Sequence, residues 1–155
     1  MRNSPGVRLF NLSAIGNAES GLWFDHSDDG TISTASAAGN GKYGMWLLGS
    51  SRTVVIDCNG TSGNGNTGIL LGCGPVKCTG TNDHSDQNCI TNSGAPGNIS
   101  NGILIEKKNN GNIVTITHND GNPNHHDMVD LNNKLRDQHL VQQHWDEPSE
   151  LREVN

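Results

Sequence analysis

Apolar residues recur along this chain at fixed distances from a two-residue signal. Gly16-Asn17 is followed, after three residues, by Gly21 and the apolar triplet Leu22-Trp23-Phe24. The arrangement returns at Gly39-Asn40 with Gly44 and Met45-Trp46-Leu47, and at Gly63-Asn64 with Gly68 and Ile69-Leu70-Leu71. A fourth copy is Gly97-Asn98 with Gly102 and Ile103-Leu104-Ile105, and a degenerate fifth starts at Gly121-Asn122 and runs into His126-Asp127-Met128-Val129. The asparagines are 23, 24, 34 and 24 residues apart, a period that signals a solenoid, propeller or array. Seven residues before each glycine stand Leu9, Ile32, Ile56, Ile90 and Val114, all apolar. The next positions, Phe10, Ser33, Asp57, Thr91 and Thr115, are mostly polar, and those after them are Asn11, Thr34, Cys58, Asn92 and Ile116. This alternation predicts a short strand before each Gly-Asn, with Cys58 facing inward. The triplet is a second strand whose first and third residues share the inner face. Each repeat therefore reads strand, Gly-Asn turn, strand, polar turn, with neither the length nor the period for a helix.

Such strands cannot bury an inner face alone; stacking successive repeats at about 4.8 Å does so, with equivalent strands paired in parallel. The glycine of Gly-Asn supplies a positive φ. Asn17, Asn40, Asn64, Asn98 and Asn122 then stack and can hydrogen-bond as a ladder along the axis. A leucine-rich repeat would need a Leu-x-x-Leu-x-Leu register that is absent, and a propeller blade a longer period. Residues 6 to 130 resemble the right-handed parallel β-helix superfamily, which includes pectate-lyase-like enzymes, phage tailspikes and secreted adhesins. The expected fold is all-β: one solenoid of about five coils over residues 1–130, roughly 24 Å tall at the strand spacing. Residues 131–155 lose glycine and gain Leu131, Leu135, Leu140, Val141, Trp145 and Leu151 at roughly helical spacing. They are expected to form a helical or extended cap, or an association tail.

Composition narrows the partners. At 155 residues the chain is one domain. A net charge of −6 argues against a nucleic-acid partner reached through a basic face. No apolar stretch is long enough to span a membrane, and Met1 to Gly16 lacks the apolar region of a signal peptide. Residue 6 already reads as mid-repeat, so the expectation is a piece of a longer protein or an N-terminal end stacked on another chain. In the first half-coil Val7 and Leu9 are expected inward, Phe10 and Leu12 outward.

Candidate chemistry lies on turns and outward columns. Asp25, Asp28 and Asp29 crowd one polar turn, which suggests calcium and its oxygen ligands, although a solvated acidic turn is the ordinary reading. Arg52, at the position equivalent to Asp28, can pair with it across one rung. Asp25, Asp28, Asp29 and Arg52 are the one set with any lyase-like character. Asp25 and Glu106 share a column but stand three rungs apart, about 14 Å, too far for a glycosidase pair. Asp57 finds only Ser33 and Thr91 beside it, and the mixed outward columns exclude an ice-binding face. Ten extra residues between the third and fourth Gly-Asn lie within Gly72 to Asn88. Cysteines there allow a Cys73–Cys78 or Cys78–Cys89 disulfide; zinc with His84 fits no standard spacing. His125, His126 and Asp127 invite a metal reading, against the simpler one of polar cover for the last rung. Outward Trp23, Trp46, Leu70 and Leu104 stack into one column, an apolar stripe. It would serve subunit contact or sugar stacking, unless a loop or the tail covers it. The resemblance implies a non-catalytic structural and receptor-binding part of a phage tailspike, fibre or adhesin, trimeric, on a virion or cell surface, with a surface glycan as ligand. Its alternative is a polysaccharide lyase or glycoside hydrolase.

Overall fold

The computed structural model describes residues 1–58, 61–75 and 83–115, and the backbone of His126–Asp130. Ten short strands follow one another: β1 (Arg8–Phe10), β2 (Leu22–Asp25), β3 (Thr31–Ser33), β4 (Met45–Leu48), β5 (Val54–Ile56), β6 (Ile69–Leu71), β7 (Cys89–Thr91), β8 (Asn101–Ile105), β9 (Ile113–Thr115) and β10 (His126–Asp130). Odd-numbered strands form one sheet in the order β1-β3-β5-β7-β9, and even-numbered strands a second in the order β10-β8-β6-β4-β2. Every pairing is parallel. A chain that alternates between two sheets and always returns one place further along each is a parallel β-solenoid. It makes about four turns here, and among the described residues there is no helix. A third side is held by backbone bonds such as Ala14 N–H to Ser36 C=O at 2.8 Å and by a bridge between Ser13 and Ser36.

The interior is filled rung by rung. Phe24, Leu47, Leu71 and Ile105 stand in one file, and Leu22, Met45, Ile69 and Ile103 in another; from Leu22 onward all are buried. The file on the odd sheet runs Leu9, Ile32, Val55, Ile90, Val114. Val55 thus takes the place expected of Ile56. Val55 is fully buried, whereas Ile56 is half-buried and pairs with Ser33 and Thr91. The Gly39-to-Gly63 interval is one residue longer than the one before it, and the extra residue sits in the turn after β5 rather than before it. A slip within the strand would have turned every side chain to the wrong face. Asp57 consequently leaves the strand and joins Asn11, Thr34 and Asn92 in a column of left-handed residues, at φ 54°, 51°, 52° and 48°. Cys58 is fully buried as expected. Phe10 points outward and is 61% exposed, but Leu12, expected outward, packs half-buried against the core with Val7, Leu9 and Ala14.

Polar ladders seal the corners. Asn17 donates its N–H and Nδ2 to Asn40 Oδ1, both at 2.9 Å. Asn40 donates likewise to Asn64 at 3.0 Å, and Asn64 to Asn98 at 2.8 and 2.9 Å. Gly16, Gly39, Gly63 and Gly97 before them have φ between 61° and 70°, the left-handed region that glycine enters without strain. A second ladder, which the repeat alone did not disclose, runs from Ser27 N–H to Ser50 Oγ, Ser50 N–H to Ser85 Oγ and Ser85 N–H to Asn109 Oδ1. Ser85 takes the place after Ser50, so the inserted residues lie between Gly72 and Ser85. Asn122, His125, the side chains of His126 and Asp127, the boundary at residue 130 and the cap expected at 131–155 lie outside the described residues.

Candidate functional site

The outer face of the even sheet carries the predicted aromatic column. Trp23, Trp46, Leu70 and Leu104 are register partners in turn. The indoles of Trp23 and Trp46 lie parallel, 5.0 Å between centroids with 7° between planes. That spacing is the rung height, so the backbone ladder itself imposes the stack. The stripe is narrower than its sequence suggested. Trp46 and Leu70 are buried in a second, outer cluster with Tyr43, Leu48 and Cys73, and Leu104 is half-buried beside them. Trp46 donates its Nε1–H to Gly72 C=O at 2.7 Å. Gly74 lies close over Trp46, Leu70 and Tyr43, and its N–H donates to Glu106 Oε2 at 3.0 Å. The insertion therefore folds back over the column at Cys73 and Gly74. Trp23 alone of the two indoles keeps an open face, at 44% exposure. Tyr43 titrates above its ordinary range because it is buried and, next, because Glu106 is near.

The acidic turn is divided between two sets of partners. Asp28 and Asp29 face Arg52, with Nη2 3.0 Å from Asp28 Oδ2 and Nε 2.7 Å from Asp29 Oδ1. The expected cross-rung ion pair is present, but the β3–β5 register sets Arg52 opposite Asp29, not Asp28 as expected, because the extra residue of this repeat lies after β5; Arg52 reaches both carboxylates. Hydrogen bonds from Arg52 hold the Asp29 carboxyl below its usual range. A lowered folded pKa adds stability above the unfolded value and loses it as pH falls through the folded value. Arg52→Ala should therefore lower the thermal midpoint slightly near neutrality, an exposed pair being strongly screened. Wild type and variant should converge in acid, which a pH series of melting curves by circular dichroism would follow.

Asp25 points elsewhere. It is buried, two residues beyond Trp23 on the same face of β2, and its Oδ1 lies 2.5 Å from His26 Nδ1. Arg2 Nε approaches its Oδ2 at 3.1 Å. The other ring nitrogen of His26 lies 3.3 Å from Asp83 Oδ1, on the returning limb of the insertion. Arg2, Asp25, His26 and Asp83 make a line of alternating charge character beside the open indole. Arg2, His26 and Asp83 escaped the sequence reading. His26 was visible as a neighbour of Asp25, but nothing in the period tells where an inserted loop returns. Asp25 and Glu106 remain three rungs apart. Among the described residues no group of three or more His, Cys, Asp and Glu side chains is placed to hold a metal ion. Asp25, Asp28 and Asp29 do not converge on a common point.

Cys73 is disulfide-bonded, and Cys89 is a free thiol, so Cys89 is not half of the bridge that the spacing left open. Cys78 lies outside the described residues. Cys58 is also free, and burial pushes its thiol pKa up. Among the described residues no helix is long and apolar enough to cross a membrane. No protein-family model, curated protein or solved structure matches the chain.

Proposed function

We propose that this solenoid is a non-catalytic structural and receptor-binding part, resembling a segment of a phage tailspike, a tail fibre or a surface adhesin, that binds a surface glycan through Trp23. The observation that carries this reading is the open indole stacked on a second one. An indole presents a flat apolar face on which the C–H side of a sugar ring stacks. Here the platform is preorganised: Trp46 is buried and anchored to Gly72, so little side-chain freedom is lost on binding. In this reading copies assemble side by side as trimers on a virion or cell surface.

Trp23→Ala is expected to weaken binding to the preferred glycan at least tenfold, read by calorimetry over a polysaccharide panel, while the far-ultraviolet circular dichroism stays unchanged. Full-strength binding by that variant, or no binding across the panel by the native protein, would refute the reading. Sedimentation is expected to give a trimer.

The Asp25–His26–Asp83 line beside Trp23 favours a second reading, a carbohydrate-active enzyme. Unsaturated or reducing-end products from the same panel, with and without calcium, would support it if Asp83→Asn abolished them.

A further inference from the structure

We propose that the solenoid binds ordered water in its interior, at a site formed by Gly30, Thr53 and Asn88 on three successive rungs. These residues and Asn112 share one column, because the odd-sheet registers set Thr31 against Val54, Val54 against Cys89 and Cys89 against Ile113. All four are buried, Thr53 and Asn88 completely. Two links of the column are direct. Thr53 N–H donates to Asn88 Oδ1, and Asn88 N–H to Asn112 Oδ1, both at 2.8 Å. The first link is not made. Thr53 Oγ1 is buried without a partner, and Gly30 N–H meets no acceptor among the described residues. The reason is reach. A threonine oxygen sits on Cβ, one bond nearer its own backbone than an asparagine Oδ1. A donor and an acceptor that bond directly on the next rungs here stop short of each other. Water joins such a pair: it accepts from the N–H and donates to the hydroxyl oxygen.

Space lies at the same place. No backbone requirement makes residue 30 a glycine: its φ is outside the left-handed region, and Thr53, Asn88 and Asn112 take the equivalent positions. A carbon added at Gly30 would rest in ordinary contact, 3.4 Å from Thr53 Oγ1 and Cγ2 and 3.5 Å from Phe24 Cε1. At Gly21 and Gly44 the same carbon would lie 2.7 and 2.6 Å from a carbonyl oxygen. Gly30 therefore leaves room beside the unmet hydroxyl that the other two do not. Asn88 extends the polar lining. Its Nδ2 is buried without a partner, whereas Asn17, Asn40 and Asn64 each donate Nδ2 to the next asparagine of their ladder. Buried polar groups are almost always hydrogen-bonded, and ordered water serves those that the chain leaves unmet. A buried water makes about three hydrogen bonds, and an N–H, a hydroxyl and an amide are offered here. Three donors would also suit an anion. Phe24 forms one wall, however, and the chain carries a net charge of −6, so a buried anion would lose its hydration uncompensated.

The test is crystallography of the full chain at atomic resolution, with water–protein Overhauser spectroscopy in solution. An oxygen peak is expected within hydrogen-bond distance of Gly30 N and Thr53 Oγ1. Long-lived water should give cross-peaks to Gly30 N–H and to the Asn88 side-chain amide. Gly30→Ala puts a carbon where the water sits and should weaken the cross-peak at the residue 30 N–H at least tenfold. A signal relayed by exchange of the Thr53 hydroxyl would survive that change. If Gly30→Ala does not fold, Thr53→Val, of the same shape without the hydroxyl, should lose the oxygen peak from the crystal. Native density without that oxygen, or a cross-peak that survives Gly30→Ala, would overturn the inference. An anomalous signal at the site in crystals grown with bromide would overturn it too, by assigning the site to an anion.

Discussion

Replacing Asn64 by alanine should destabilise the protein by about 3 kcal/mol, the sum of roughly 1–3 kcal/mol for each buried polar group left unmet. Asn64 is fully buried in the middle of the corner ladder. Its Oδ1 accepts both the N–H and the Nδ2 of Asn40 at 3.0 Å. Its own Nδ2 donates to Asn98 Oδ1 and to Thr61 C=O, both at 2.9 Å. Alanine removes all four bonds and leaves the buried Asn40 N–H without its acceptor. Asn40 Nδ2 keeps Ala14 C=O at 3.1 Å, which limits the loss. Asn17→Ala, at the exposed start of the same ladder, should cost under about 1 kcal/mol, since water replaces what is lost. Urea unfolding midpoints at unchanged slope would measure both. Equal effects at the two positions would mean that the ladder is decoration rather than support.

Gly68→Ala should cost more than about 3 kcal/mol, beyond the usual range for overpacking, or prevent folding outright. The reason is space. A Cβ at Gly68 would sit 2.5 Å from the Ala95 Cβ and 2.7 Å from both Asn98 Nδ2 and Gly102 C=O. Those atoms belong to the neighbouring rung, and moving them opens the stack. Gly16 provides the contrast. Its φ is +70° but nothing lies within 4 Å of the added carbon, so Gly16→Ala meets only the left-handed penalty of about 1–2 kcal/mol. Thermal melts of the two variants should therefore rank Gly68 well below Gly16. The reverse order would show that backbone conformation, not rung spacing, selects these glycines.

Much of this architecture was legible in the residues because a solenoid repeats its constraints. A glycine needed in one turn is needed in the next, and an amide that bonds along the axis must recur on every rung. The Gly-Asn period therefore disclosed the parallel strands, the asparagine ladder, the inner files of the second strand and the Trp23-Trp46-Leu70-Leu104 column before any coordinates. The register of β5 was not legible. Val54, Val55 and Ile56 are three apolar β-branched residues in a row, so alternation could not choose between Val55 and Ile56, and counting back from Gly63 placed the extra residue on the wrong side of the strand. The serine ladder had a signal in Ser27 and Ser50, 23 residues apart, but the insertion delays its third member to Ser85 and breaks the count. The site was least legible. Its form depends on where a non-repeating segment lands: Cys73 and Gly74 over Trp46 and Leu70, Asp83 against His26. Those contacts obey no period, and they convert a predicted exposed stripe into one open indole beside a charged line.

The central claim is that one apolar residue per rung forms a continuous inner file held at the strand spacing. Methyl–methyl nuclear Overhauser contacts in a protein with labelled isoleucine and valine measure it directly. Ile32 to Val55, Val55 to Ile90 and Ile90 to Val114 should give strong cross-peaks, with Ile56 absent from the series. Cross-peaks from Ile32 to Ile56 in place of Val55, or no contacts between successive rungs, would contradict the account.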